Sequence, residues 1–166
     1  MMVLKSTPRM HKGSVMRRIK LKVLNTKFYG EWELPKYATS ESAGLDLRAC
    51  LLNDVVLDPR DTFLCPTGLA VDLDDENLAM FLIPKSGLGH KRGLVLGNGI
   101  GLIDSDYSKE VFVSVWNRGT ETQRIKPGDF IAQAYFTPVV RVQFDIVEFF
   151  DRTVERVGGF GSTGDR

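Results

Sequence analysis

The sequence predicts an all-β domain, and three observations support this prediction. Short apolar runs alternate with polar residues at a period of two, as in strands that bury one face. Clusters of Gly, Pro, Asn and Asp separate these runs, and no segment of useful length shows a helical period. Evenly spaced short strands of this kind are typical of a β-sandwich, a jelly roll or a similar barrel.

The predicted strands follow one another along most of the chain. An acidic turn at residues 72–76 separates two of them, and valines at every second position mark the run that begins at Glu110. Glycines 87, 89 and 93 limit residues 86–92 to a short turn at most. The predicted strand runs are residues 19–24, 68–73, 78–83, 110–116, 130–136 and the apolar-rich 140–150.

A length of 166 residues suggests one domain, which we place at residues 19–150 between two tails. Residues 1–18 carry five basic and no acidic side chains, and we interpret them as a disordered extension. A transit peptide, or a true start at Met16, are the alternatives. Residues 151–166 end in the glycine-rich stretch VGGFGSTGDR, which cannot form a helix or a strand.

Composition excludes several classes of protein. A net charge of +1 gives no sign of binding to nucleic acid, and no apolar run approaches the length of a membrane helix. The cysteines, Cys50 and Cys65, fit no zinc or redox spacing, so a reducing cytoplasm is the expected location. With only His11 and His90, a Ser–His–Asp triad or a histidine metal cluster is not expected.

Two glycine-containing segments between strands carry charged residues that could belong to a site. The first, residues 43–49 (AGLDLRA), taken alone is best explained as a strand entrance with a solvated Asp46. The second, residues 84–91 (PKSGLGHK), combines Lys85 and Ser86 with glycines that let backbone N–H groups approach an anion closely. On its own residues it fits a phosphate-binding loop and a basic surface turn equally well.

Two further segments carry a carboxylate, a tyrosine and a glutamine. Residues 97–107 (GNGIGLIDSDY) contain Asn-Gly, a strong hairpin signal, followed by Asp104 and Tyr107. A carboxylate there is suited to orient and deprotonate water, and the ring to pack on a sugar; a strand cap is the alternative. In residues 126–133 (KPGDFIAQ), Gln133 lies in an apolar strand and must find a structural partner or a ligand.

Taken in order with the glycine-rich tail, these segments resemble the five motifs of the homotrimeric dUTP diphosphatases (dUTPases). Their amino-acid sequences are most similar to those of the bacterial members. The stretches GNGIG, IDSDY and GFGSTG carry most of the resemblance. It implies a distorted jelly roll of the β-clip type, a homotrimer with sites shared between subunits, and a flexible C-terminal arm that closes the site. It also implies hydrolysis of dUTP to dUMP and pyrophosphate, which limits uracil in DNA and supplies dUMP for thymidylate synthesis.

The resemblance assigns Asp104 as the base that orients the attacking water at the α-phosphorus. Tyr107 would pack on the deoxyribose and leave no room for a 2′-hydroxyl. The backbone of residues 98–104 would form a hairpin that reads uracil. Residues assigned to the same nucleoside pocket are Asn98, Leu102, Ile103 and Phe112, with Phe160 of the tail stacking on the uracil.

The remaining assignments concern the triphosphate. Lys85, Ser86, Gly87 and Gln133 would hold phosphates, and Asp46 would contact, through water only, a magnesium ion held mainly by the triphosphate. Phosphoanhydride hydrolysis needs charge neutralisation and a positioned water more than a covalent nucleophile. Tail residues assigned to the phosphates are Arg156, Gly161, Ser162 and Thr163.

Two departures from the family pattern stand out. Lys85 replaces the usual Arg, so a planar two-pronged contact becomes a point charge. Arg156 is separated from Gly-Gly-Phe by Val157 alone, where the family usually has two residues. Arg156 is the preferred partner of the terminal phosphate, and Arg152 is the alternative.

Two rival functions share the expected fold. A dCTP deaminase would need a glutamate shortly after the motif aspartate, and Ser108 stands at that position. A non-catalytic nucleotide-binding trimer with a regulatory role would be expected to lack Asp104, which is present. Both features favour dUTP hydrolysis.

Overall fold

The computed structural model of the protein describes residues 16–151, which form ten strands and two short helices. The helices are α1, Phe28–Glu31, and α2, Ser86–Arg92. The strands are β1 Lys20–Val23, β2 Leu45–Arg48, β3 Val55–Leu57, β4 Thr62–Asp72, β5 Leu78–Ile83, β6 Leu94–Leu96, β7 Gly101–Ile103, β8 Glu110–Asn117, β9 Gln123–Ile125 and β10 Phe130–Pro138.

The strands form two four-stranded antiparallel sheets and one two-stranded ribbon. The first sheet has the order β1-β4-β8-β6 and the second the order β2-β10-β5-β7, while β3 pairs with β9. Chain neighbours such as β4 and β5 lie in different sheets, so the chain crosses repeatedly between two layers. This arrangement confirms the all-β, jelly-roll-like prediction.

Alternation along the strands determines which side chains enter the core. In β8, Val111, Val113 and Val115 are buried while Phe112 faces outward, as the period-two pattern predicts. Strand β4 is longer than the predicted run at residues 68–73, because the chain already pairs with β8 from Thr62, with a shift of register between Pro66 and Ala70. The two sheets bury their facing apolar side chains in one core, which includes Leu47, Leu82, Leu94, Val113, Ile125 and Ile131.

Two sequence predictions are corrected by the structure. Residues 140–150 form no strand, and their apolar side chains are exposed in the single chain, because a strand needs a partner for its N–H and C=O groups. Residues 86–92 form a helix rather than a short turn. Gly93 ends it in the left-handed conformation at φ 67°, and buried Gly89 packs closely against Val95, so packing overrides the weak helix propensity of glycine.

No helix in the described part of the chain is long and apolar enough to cross a membrane.

Candidate active site

The second sheet positions three of the predicted phosphate-site residues. Gln133 of β10 pairs with Asp46 of β2 on one side and with Ile83 of β5 on the other. Lys85 follows Ile83 by two residues, so the end of β5 delivers it to the same place. The amide of Gln133 is half-buried and makes no side-chain hydrogen bond within residues 16–151, which leaves it available to a ligand.

Lys85 and Asp46 form an ion pair in this corner of the sheet. The Lys85 Nζ donates to both carboxylate oxygens of Asp46 at 2.7 Å. The side chains are 32% and 21% exposed, so the pair lies at the protein surface within reach of a ligand. Because each charge is open to solvent, an incoming phosphate can compete with Asp46 for the ammonium group.

A cleft of about 320 Å³ opens beside this ion pair. Lys85 precedes helix α2 in an extended conformation, and the first N–H groups of any helix have no acceptor inside the helix. No atom lies within 4 Å of the position that a Cβ on Gly87 would occupy, so packing does not require glycine there. The residues lining the cleft are Lys85, Gly87, Leu88, Lys91, Arg92 and Phe130.

The turn at Asn98 differs from the predicted hairpin. Gly99 adopts a positive φ of 74°, and the Ile100 N–H donates to the Asn98 carbonyl at 2.8 Å, so the chain does reverse there. However, β6 before the turn pairs with β8, whereas β7 after it pairs with β5. The turn therefore links the two sheets instead of joining two paired strands. The local Asn-Gly signal predicts a reversal of the chain in both cases and cannot distinguish them.

Asp104 and Tyr107 lie on an exposed turn after β7. The Tyr107 N–H donates to the Asp104 carbonyl at 3.1 Å, and the Tyr107 hydroxyl donates to the Glu110 carbonyl at 2.8 Å. These bonds fix the ring while leaving both side chains accessible. Phe112 and Leu102 are exposed, and Ile103 is partly buried against the core.

The single chain does not bring Asp104 to Lys85. Ile103 pairs with Met80 of β5, so Asp104 lies level with the next residue back, Ala79. Lys85 lies six residues further along the same line, on the order of 20 Å away at the usual rise of a strand. The predicted residues thus fall into two regions. The first is the Lys85 cleft, lined by Lys85 and Gly87, together with Asp46, Ser86 and Gln133 beside it. The second is the Asp104 turn, containing Asp104 and Tyr107.

The side chains near the cleft suit a magnesium ion that is held mainly by a bound nucleotide. Residues 16–151 contain no group of three or more His, Cys, Asp or Glu side chains that could hold a metal. Asp46 offers a carboxylate at the cleft, and Mg²⁺ commonly combines one or two carboxylates with substrate phosphates and waters. The residues therefore fit a magnesium ion carried by a triphosphate and contacted by Asp46 through water.

The tail assignments lie outside the described residues. These are Arg156 with its alternative Arg152, and Phe160, Gly161, Ser162 and Thr163.

Sequence reasoning did not assign two residues that the structure places at the cleft. Phe130 lines it, and Arg48 lies over the Phe130 ring with its guanidinium carbon 4.0 Å from the ring centroid. Both lie within the segments quoted above, two residues from Asp46 and three from Gln133. A cation and an aromatic residue on different strands give no local signal, because only the sheet register brings them together.

Comparisons with known proteins agree on one family. The sequence profile described as dUTPase matches residues 30–164. The chain is 54% identical over 150 residues to the Shigella flexneri protein named "Deoxyuridine 5'-triphosphate nucleotidohydrolase", covering 90% of this chain and 99% of that protein. The protein of the same name from Escherichia coli (strain K12 / DH10B) is also 54% identical, over 149 residues, with the same coverage of both chains.

Solved structures show the same fold. A mutant dUTPase of Staphylococcus bacteriophage 80alpha, solved with dUpNHpp, aligns with a TM-score of 0.76 at 24% identity, covering 90% of this chain and 99% of that chain. A mutant dUTPase of phage phi11, described with a structural Mg(II) ion, aligns with a TM-score of 0.71 at 21% identity, covering 82% of this chain and all of that chain.

Proposed function

The chain belongs to the dUTPase family and is a dUTP diphosphatase, and we propose that it releases pyrophosphate from dUTP by the direct attack of a water activated by Asp104. The observation that carries this proposal is the extent of the family match. It spans residues 30–164 and so includes every candidate residue from Asp46 to Thr163.

In the proposed reaction, the Asp104 carboxylate accepts a proton from the attacking water. The water oxygen forms a bond to the α-phosphorus, and the bond from that phosphorus to the oxygen bridging to the β-phosphorus breaks. The products are dUMP and pyrophosphate, with one water consumed. The exposure of Asp104 supports this role, because a base must reach the substrate without displacing core residues.

The Lys85 cleft binds the triphosphate in this proposal. Lys85 exchanges its contact with Asp46 for a phosphate oxygen, and Ser86, Gly87 and Gln133 donate hydrogen bonds to the same group. A magnesium ion bound with the nucleotide supplies further neutralisation of the phosphate charges. Asp46, once released from Lys85, would be the residue that helps to hold such an ion, through water.

The Asp104 turn and its neighbours select the nucleoside. The Tyr107 ring packs on the deoxyribose and excludes a 2′-hydroxyl, while the backbone of residues 98–104 hydrogen-bonds the uracil edge. The hydrogen bond from the Tyr107 hydroxyl to Glu110 supports this assignment, because it holds the ring in one orientation. Asn98, Leu102, Ile103 and Phe112 complete this nucleoside pocket.

The C-terminal tail completes the site. Phe160 stacks on the uracil, Arg156 contacts the terminal phosphate, and Gly161, Ser162 and Thr163 donate hydrogen bonds to phosphates. Ordering of this segment over the substrate excludes water from the phosphates.

We infer a homotrimer with shared sites, because one chain holds the Lys85 cleft and the Asp104 turn apart. Symmetric assembly lets the turn of one copy meet the cleft of another. The apolar segment at residues 140–150, exposed in the single chain, supports burial against further copies. We also propose that the enzyme lies in the cytoplasm. There it supplies dUMP for thymidylate synthesis and limits uracil in DNA.

One incubation separates this function from its rivals. The protein is mixed with magnesium and either dUTP or dCTP, and pyrophosphate and ammonia are measured. Pyrophosphate from dUTP alone is the expected result. Ammonia from dCTP would identify a deaminase, and tight nucleotide binding without turnover would identify a non-catalytic binder.

A further inference from the structure

Phe130 has no role in the reaction proposed above, yet its ring forms one wall of the Lys85 cleft. It is the first residue of β10, lies directly across from Arg48 of β2, and is 38% exposed. A large aromatic side chain left partly exposed beside a charged cleft gains little from core packing. Its contribution is therefore expected to come from the charged groups around it.

Two cations lie over the Phe130 ring. The guanidinium carbon of Arg48 is 4.0 Å from the ring centroid, and the Nζ of Lys85 is 5.2 Å from it. Both distances are within the range in which the negative face of an aromatic ring attracts a cation. The ring therefore contacts the same ammonium group that is proposed to bind phosphate.

Arg48 is itself fixed by contacts with Trp32 and Gly128. Its guanidinium lies 5.0 Å from the centroid of the Trp32 ring and donates through Nη1 to the Gly128 carbonyl at 2.8 Å. Gly128 has a φ of 82°, and a Cβ there would come within 2.3 Å of Trp32. Trp32, Arg48 and Phe130 thus form a continuous stack that ends at Lys85.

The chemistry of lysine explains why such a support is useful. A lysine ammonium is a single point charge on a flexible four-carbon chain, and it lacks the rigid planar fork of arginine. Asp46 also holds the ammonium, but that contact must be given up when a phosphate takes its place. A ring face attracts the cation without neutralising it, so its contact with Lys85 persists when Asp46 is exchanged for phosphate.

We propose that Phe130 is a positioning residue for Lys85, held in place by Arg48 and Trp32, and that it raises the affinity for dUTP by orienting the ammonium toward the phosphates. The proposal rests on the proposed function, in which Lys85 binds the triphosphate. In this role Phe130 acts only through Lys85.

A double-mutant cycle tests that claim. KM and kcat for dUTP are measured for the wild type, Phe130→Leu, Lys85→Ala and the double variant. We expect Phe130→Leu to raise KM about two- to fivefold with kcat nearly unchanged, as for loss of one cation–π contact. In the Lys85→Ala background the same substitution should leave KM unchanged.

Two further variants separate the ring from its bulk. Phe130→Tyr keeps an aromatic face and should retain the wild-type KM. Phe130→Met keeps a similar apolar volume without a ring and should behave as Phe130→Leu does, which also guards against a folding defect in one variant. The matched control is Phe63→Leu, which alters a partly buried phenylalanine packed against the core, and its effect should be the same in both backgrounds.

The outcomes are distinguishable. An unchanged KM in Phe130→Leu and Phe130→Met, or an equal rise with and without Lys85, overturns the positioning role while leaving the proposed function intact. A normal KM in Lys85→Ala, or a wild type that releases no pyrophosphate from dUTP, overturns the proposed phosphate site and the positioning role that depends on it.

Discussion

The Lys85 cleft and the Asp104 turn lie at different places along the same sheet and are built in different ways. In the cleft, the central Lys85 has partners from the same chain: Asp46 holds its ammonium group, and the Phe130 ring lies beneath it. The Asp104 turn is fixed mainly by its own backbone and by the Tyr107 hydroxyl, and its carboxylate faces solvent. One chain thus brings together the residues proposed to bind phosphate but presents its proposed base outward.

The largest effect is expected from the Asp104 turn. Asp104→Asn removes the proton acceptor but keeps the shape, so kcat should fall by about 10²- to 10⁴-fold while dUTP still binds. Steady-state turnover and equilibrium binding of dUTP measure the two effects. Asp106→Asn alters a neighbouring exposed carboxylate and should leave kcat near the wild-type value. A near-normal kcat in Asp104→Asn would remove the residue from this role.

Mixing two impaired variants, at a dUTP concentration well below the raised KM expected of Lys85→Ala, tests whether the cleft and the turn come from different copies. Subunits carrying Asp104→Asn are exchanged with subunits carrying Lys85→Ala, and pyrophosphate release is assayed. If each site takes its lysine and its aspartate from different copies, an equal random mixture should restore about a quarter of the wild-type sites.

The matched control for that mixture uses two residues of the same cleft. Asp46→Asn mixed with Lys85→Ala should restore no activity, because both residues of a site come from one chain. Recovery in this control, or none in the first mixture, would contradict the division into two regions.

A smaller effect is expected from the cleft alone. Lys85→Ala removes the proposed charge-assisted contact to phosphate, so KM for dUTP should rise about 10- to 100-fold. Lys91→Ala removes a cation from the same cleft without disturbing Asp46 and should raise KM less. Initial rates over a range of dUTP concentrations measure both, and equal effects would mean that the cleft acts only through its overall charge.

The last prediction concerns the stability of the core that supports both regions. Burial raises the pKa of the Cys65 thiol from its ordinary 9.0 to about 12. The neutral thiol therefore favours the folded state, and that contribution is fully present below pH 9 and is lost as the pH rises toward 12. At pH 10.5 the loss should be about 2 kcal/mol of the free energy of unfolding.

Urea unfolding at pH 8 and at pH 10.5 measures this loss, and Cys65→Ala is the comparison, because it lacks the thiol but keeps every other titrating group. The wild type should lose more stability than the variant between the two pH values. An equal loss in both would mean that the pKa of the Cys65 thiol is the same in the folded and the unfolded protein.

The sequence by itself determined the all-β class, several of the strands and the family, because these depend on local patterns. Valines at every second position predicted β8, and the run Leu78–Ile83 was predicted with the bounds that the structure has. The five motifs were sufficient to indicate the family that the comparisons show. Residue type and context marked Lys85 and Asp104 as candidates with structural alternatives left open, and the resemblance to the family supplied their proposed roles.

Only the tertiary structure decided which of these residues meet. The register of β2, β10 and β5 brings Asp46 to Lys85 and sets Asp104 apart from both, and no local pattern encodes a register between distant segments. The same limit explains the errors. Residues 140–150 have the alternation of a strand but no partner strand within the described chain, and α2 forms despite its glycines because Gly89 and Gly93 fit their packing. Alternation and composition act over a few residues, whereas pairing and packing depend on what the rest of the chain places alongside.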